Sequence, residues 1–157
     1  MQPLTTTYSV IYALSGVSDQ LFCLKVVWRD ISEELWACYV DDRTLLPLNT
    51  SYYIPVPDEL TGLLLAAWLN SSHIRQVCRS RAEHAKNGYR RFFAWLIHDI
   101  PWPFMRVSED DPLIRQIVEI SRQAHAHFDS VVRSPKRQAK LDHLVLKAIM
   151  RQGGGIP

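Results

Sequence analysis

The sequence predicts an α/β (α+β) fold, a small mixed β-sheet with flanking helices followed by a C-terminal antiparallel helix pair. Two observations carry this. The first half holds short runs rich in β-branched and aromatic residues, separated by turn-forming clusters. The second half, after Ile100-Pro101-Trp102-Pro103, holds two amphipathic stretches that each open on a proline-containing start signal.

Tyr8 to Leu14 and Leu21 to Trp28 read as strands parted by Ser15-Gly16-Val17-Ser18-Asp19, and Leu35 to Val40 reads as a third, ended by Asp41-Asp42. These belong to one small sheet. Ser51 to Val56 adds an extended segment closed by Pro55 and Pro57, which have no N–H for a ladder and therefore suit a strand end. Asp58 is placed to cap an apolar helix over Glu59 to Asn70, and Asn70-Ser71-Ser72 stops it. Ser72 is then expected to cap a second helix running to about Ala85. Asn87-Gly88 signals a turn, and Phe92 to Ile97 fits either a short helix or an extended segment.

The Ile100 to Pro103 break divides the chain into an expected α/β domain over residues 1–103 and a helical pair with a tail over 104–157. Asp111 as N-cap and Pro112 at the first helical position open a helix that puts Leu113, Ile117, Ile120 and Ala124 on one face. Ser134-Pro135 starts the last helix, whose Leu141, Leu144, Val145 and Ala148 share a face. A short link between two such helices predicts an antiparallel pair. Gly153 to Pro157 reads as a frayed tail. Trp102, between two prolines at the break, is expected to wedge between the two halves.

Composition narrows the function. The chain has 157 residues, 47% of them hydrophobic, which is enough for one compact domain with a core. Cys23, Cys38 and Cys78 fall in no CxxC or Cys/His metal spacing, so buried structural thiols in a reducing setting are expected. The N-terminus lacks a basic region followed by an apolar run, and Leu63 to Leu69 is too short to cross a bilayer, so a cytoplasmic protein without a membrane partner is expected. No phosphate-cradling glycine loop, no GxSxG elbow and no HExxH pair occurs. His125 and His127 lie two apart in an expected helix, which puts them on different faces and argues against joint metal ligation. Glu33-Glu34, Asp41-Asp42 and Asp110-Asp111 lack the spaced Glu-x-Lys of a metal-dependent nuclease. No catalytic residue, metal or cofactor is therefore assigned.

Charge is uneven although the net value is only +2. Acids outnumber bases up to residue 60, whereas Arg75, Arg79, Arg81, Lys86, Arg90 and Arg91 stand against Glu83 alone between His73 and Arg91. A local basic surface on a near-neutral protein is the footprint of a polyanion site, because each neutralised phosphate releases condensed counterions. A solvated helix face is the plainer reading of the same run. Here the arginines accompany a glycine turn and an aromatic. Arginine grips phosphates in fork geometry or reads guanine edges, and glycine lets backbone approach a duplex. The candidate DNA-contacting residues are Arg79, Arg81, Lys86, Asn87, Gly88, Tyr89, Arg90 and Arg91.

Several segments also follow one another as in a known family. They are Pro-Leu-Asn-Thr-Ser-Tyr-Tyr-Ile-Pro-Val (47–56), Leu-Leu-Leu-Ala-Ala-Trp-Leu-Asn-Ser-Ser (63–72), Lys-Asn-Gly-Tyr-Arg-Arg-Phe (86–92) and Ile-Pro-Trp-Pro (100–103). In this order the chain resembles the C-terminal specificity, or target-recognition, domain of adenine-N6 DNA methyltransferases, including the fused type IIG restriction-modification enzymes, and more distantly type I specificity subunits. Val27 to Ile31 is similar to the segment preceding the recognition strands there. Asp111 to Ile114 and Leu141 to Val145 are similar to the paired helices that close such chains. The resemblance covers about residues 24–150 and rests on order and spacing.

The resemblance implies a recognition domain that lays a loop-bearing surface against duplex DNA. A separate catalytic domain or subunit would bind S-adenosylmethionine and flip the adenine. This chain lacks the Asn-Pro-Pro-Tyr or Asp-Pro-Pro-Tyr motif and the glycine-rich methyl-donor loop of full-length members, so it is expected to be non-catalytic: a fragment, a separate specificity subunit or a remnant. The alternative is a protein-interaction module that docks on a methyltransferase subunit, or self-associates, through the apolar faces of helices 113–149. An independent enzyme would need an acid-metal site that the sequence does not display.

Overall fold

The computed structural model describes residues 22–104, 107–126 and 134–151. The strand expected at Tyr8 to Leu14, the start of the next run at Leu21, His127 and the tail from Gly153 lie outside these residues.

The described chain is α+β. Strand β1 (Lys25–Arg29) is the centre of a three-stranded sheet, with β3 (Ala37–Val40) on one side and β4 (Ser51–Pro55) on the other. Both neighbours run antiparallel, in registers that set Trp28 opposite Ala37 and opposite Tyr52. The alternation expected of a half-covered sheet is visible in β1, where Val26 and Trp28 face the core. The sheet foreseen as a single mixed one divides in two. Three two-residue strands, β2 (Ile31–Ser32), β5 (Glu83–His84) and β6 (Arg90–Arg91), form a second antiparallel sheet in the order β2-β6-β5. Runs of two residues leave no periodicity for sequence to show.

The two sheets are joined at Asp30. Its N–H donates to the Thr50 carbonyl at 2.9 Å, and its own carbonyl accepts from the Phe92 N–H at 2.7 Å. The Trp28 indole N–H donates to the Phe92 carbonyl at 2.8 Å, which satisfies the one polar atom of a ring that is otherwise buried.

Helix α1 (Glu59–Asn70) begins as the sequence indicates, with the Asp58 carboxylate accepting from the Thr61 N–H at 2.7 Å. It packs on β3 and β1 and buries Leu63, Leu64, Ala67 and Trp68. Helix α2 (Ser72–Arg81) departs from expectation at both ends. Ser71, rather than Ser72, is the cap residue, and its hydroxyl turns back to the Trp68 carbonyl at 2.8 Å instead of capping α2. The orphan N–H of Ser72 is taken by the Asp142 carboxylate at 2.8 Å, a cap supplied from the far end of the chain. The helix stops at Arg81, short of Ala85, because Ala82 turns extended and feeds β5. Phe92 to Ile97 resolves into a short helix, α3 (Ala94–His98).

Helices α4 (Pro112–Ala126) and α5 (Pro135–Arg151) start at the proline signals. They run antiparallel: Arg151, at the end of α5, pairs with Asp111, at the start of α4. That hydrogen bond holds the Asp111 carboxyl below its ordinary range. The same Asp111 caps α4 through the Leu113 N–H at 2.9 Å.

The hydrophobic core is continuous from Val26 to Ile149 and passes the Ile100 to Pro103 segment without a break. Ser121 of α4 donates to the Leu63 carbonyl at 2.8 Å, and Gln138 of α5 donates to the Asn70 carbonyl at 3.0 Å. Trp102 stacks edge-on to Phe104 at 4.9 Å, and Phe104 in turn meets Trp68 of α1. Cys78 is buried, which pushes its thiol up to about 12 and keeps it un-ionised at neutral pH.

Candidate nucleic-acid interface

The second sheet presents the basic segment. β5 and β6 form a hairpin whose loop is closed by the Ala85 N–H to the Tyr89 carbonyl, 2.9 Å. Inside that loop Asn87 sits at φ 58, ψ 34 and Gly88 at φ 79, both in the left-handed region. Asn and Gly are the residues that tolerate it, so the Asn-Gly pair is what permits so tight a tip. Lys86, Asn87, Gly88 and Tyr89 are all exposed there.

Strand geometry separates the two arginines that sequence sets side by side. Cross-strand partners share a face and adjacent residues take opposite faces. Arg90 therefore shares a face with Ser32 and His84, whereas Arg91 lies with Ile31 and Glu83 on the other. Arg91 is also occupied: its guanidinium donates to the Asp30 carboxylate at 2.7 Å and lies 4.4 Å over the Phe93 ring. The Asp30 hydrogen bond raises the pKa of Arg91. Phe93 continues an aromatic series, against Tyr52 on one side and stacked on exposed Trp95 on the other.

On the Ser32 side an open groove of about 850 Å³ runs between the hairpin tip and the segment following β2. Asn87, Gly88 and Tyr89 line one wall; Ser32, Glu33 and Glu34 line the other, with Arg29 and Arg79 also bordering it. The far wall is held in place from several directions. Ser32 donates to the Glu34 carbonyl at 2.6 Å, Arg79 donates to the Glu33 carbonyl, and Arg75 pairs with the Glu34 carboxylate. Arg75 also lies 4.0 Å over the Trp36 ring, and Leu35 between them is fully buried.

The eight residues singled out by sequence are thus distributed. Asn87, Gly88, Tyr89 and Arg79 meet in the groove; Lys86 is at the tip; Arg90 takes the Ser32 face of the second sheet; Arg91 faces away; and Arg81 is exposed at the end of α2. Among the described residues, Arg29, Arg81, Lys86 and Arg90 enter no ion pair, which leaves them available to a polyanion. Sequence reasoning about the basic run passed over Arg29 and the Ser32 to Trp36 wall, which reach the site through pairing of β2 with β6. The apolar stripes of α4 and α5, expected as a docking surface in the alternative reading, are buried within the chain. No helix among the described residues is long and apolar enough to cross a membrane. Comparison with protein-family models and with curated proteins finds no match for this chain.

Proposed function

We propose that the chain reads duplex DNA as the non-catalytic specificity module of a cytoplasmic restriction-modification adenine-N6 methyltransferase, whose catalytic domain or subunit supplies the methyl donor and the chemistry. One observation carries this reading: a left-handed Asn-Gly tip and the guanidinium groups of Arg29 and Arg79 border one open groove beside the three-stranded second sheet. Such a groove offers point charges to phosphates and side-chain amide and guanidinium groups to base edges. Its firm anchoring on the main sheet favours recognition, since a positioned donor loses little entropy on binding. The choice of assembly rests on the order of motifs, which resembles that of the methyltransferase specificity domains.

The partner-docking alternative has no specific observation in its favour, because the apolar faces it needs are consumed by the core. The DNA reading is tested by fluorescence anisotropy with labelled duplex at several salt concentrations, comparing the native chain with an Arg29/Lys86/Arg90→Ala variant. Each neutralised phosphate contributes about 0.9 to the slope of log affinity against log salt, so the triple variant flattens that slope by roughly 3. Equal slopes for the two proteins, or no binding by the native chain at low salt, would overturn the proposal.

A further inference from the structure

We infer that Glu33 is a specificity-determining residue of this groove, its carboxylate accepting a hydrogen bond from the exocyclic amino group of an adenine or cytosine; the inference rests on the DNA-reading function proposed above. Glu33 stands where a phosphate-binding surface should not carry an acid. Arg29 and Arg79 border the same groove, and the Asn87 tip faces it from the other wall. A carboxylate there repels phosphates, so it weakens nonspecific binding unless it meets a donor.

The segment bearing Glu33 is fixed, but its carboxylate is not engaged. Its carbonyl is held by Arg79, its neighbour Ser32 bonds the Glu34 carbonyl, Glu34 pairs with Arg75, and Leu35 is fully buried. Among the described residues the Glu33 carboxylate itself makes no hydrogen bond and no ion pair, and the residue is exposed. Glu34, one residue on, shows the contrast: its charge is already neutralised by Arg75.

The chemistry of the acceptor then selects the ligand. An ionised carboxylate only accepts hydrogen bonds. In the major groove the donors on base edges are the N6 amine of adenine and the N4 amine of cytosine, while guanine and thymine present acceptors to the same position. Glu33 therefore favours the first two bases and rejects the other two, and rejection adds to discrimination because an unpaired desolvated charge is costly.

The test is selection of bound duplexes from a randomised library by the native chain, Glu33→Ala and Glu33→Gln, followed by affinity measurements on the selected duplex and on copies carrying purine in place of each adenine, or 2-pyrimidinone in place of each cytosine. Neither variant removes the backbone carbonyl that Arg79 holds, and equal melting temperatures confirm folding. The native chain is expected to select A or C at one position, and removing that base's amino group to lower affinity about tenfold. Glu33→Ala is expected to lose the preference at that position alone, with other positions and the salt slope unchanged, and Glu33→Gln to retain part of it. A native chain that binds and selects a site, but whose Glu33→Ala variant selects the same site at every position, overturns this inference and leaves DNA reading intact. Binding without any selection overturns it as well. Absence of salt-sensitive binding by the native chain overturns the function proposed above and this inference with it.

Discussion

The imidazole of His125, on the last turn of α4, accepts a hydrogen bond from the backbone N–H of Tyr39, an outer strand residue of the main sheet, at 2.7 Å. A backbone N–H can only donate, so Nε2 must be unprotonated and Nδ1 must carry the proton, which it gives to the Ser121 carbonyl at 2.6 Å. Both ring nitrogens are thereby committed to the neutral tautomer. Burial lowers the pKa of His125 from its ordinary 6.5, with the Ser121 hydrogen bond opposing in part. The sign follows directly. The unfolded chain takes up the proton first, so this contribution to stability is complete above pH 6.5 and is lost as pH falls from there through the lowered value. Melting temperature measured between pH 8 and pH 5 should fall on the acid side. In His125→Ala the step should shrink, and the variant should be less stable at pH 8 by about 1–3 kcal/mol because the Tyr39 N–H loses its partner.

Gly62 occupies a helix interior, where alanine would ordinarily stabilise by about 1 kcal/mol. Here a Cβ would lie 2.3 Å from the Tyr39 ring and 3.1 Å from Val56. Neither neighbour is a loose side-chain end, since the Tyr39 ring packs edge-on to His125 and Val56 is buried. Gly62→Ala should therefore destabilise the protein by about 1–3 kcal/mol, the usual range for an overpacked contact. A gain in chemical-denaturation midpoint would contradict the close approach of α1 to β3.

Asn70 bridges the end of α1 to the start of β3 with both halves of its amide. Its carbonyl oxygen accepts from the Ala37 N–H and its NH2 donates to the Ala37 carbonyl, each at 2.8 Å. Asn70 is buried, so truncation leaves a donor and an acceptor of the backbone without partners or water. Asn70→Ala should cost about 2–4 kcal/mol, two unsatisfied groups at roughly 1–2 kcal/mol each. Asn70→Asp keeps the bond to the Ala37 N–H but sets a carboxylate oxygen against the Ala37 carbonyl, so it should be no better than alanine above pH 6. Urea unfolding of the three proteins checks the order.

These residues mark how far the sequence could be read. The starts of α1, α4 and α5 were legible, because Asp58 and Asp111 accept from N–H groups two or three positions ahead and Pro112 and Pro135 fit the first helical position. The Asn87-Gly88 tip was legible for the same local reason, as its backbone requires positive φ. Asn70 could be read only as a helix stop, since its partner Ala37 lies in a distant strand. The cap of Ser72 by Asp142 was hidden likewise. In the candidate site, sequence marked the hairpin wall but not the Arg29 to Trp36 wall, because β2 and β6 contribute two residues each and only their pairing joins the walls.

Arg90 and Arg91 are chemically identical neighbours with different surroundings, and they should respond in opposite ways to the same substitution. Arg90 takes the Ser32 face of the second sheet and enters no ion pair among the described residues, so Arg90→Ala should leave the melting temperature nearly unchanged. If it meets a phosphate, the salt slope of duplex binding should flatten by about 1. Arg91 neutralises Asp30, whose backbone ties the two sheets together, and covers Phe93. Its side chain is 40% exposed, which screens the pair, while that of Asp30 is only 13% exposed. Arg91→Ala should thus lower the melting temperature, because the mostly buried Asp30 carboxylate is left unpaired. Its effect on DNA affinity should vanish when binding is measured well below the melting transition. Differential scanning fluorimetry and anisotropy on the two single variants separate these roles. An Arg91→Ala protein that melts like the native chain yet flattens the salt slope would mean that Arg91, rather than Arg90, faces the DNA.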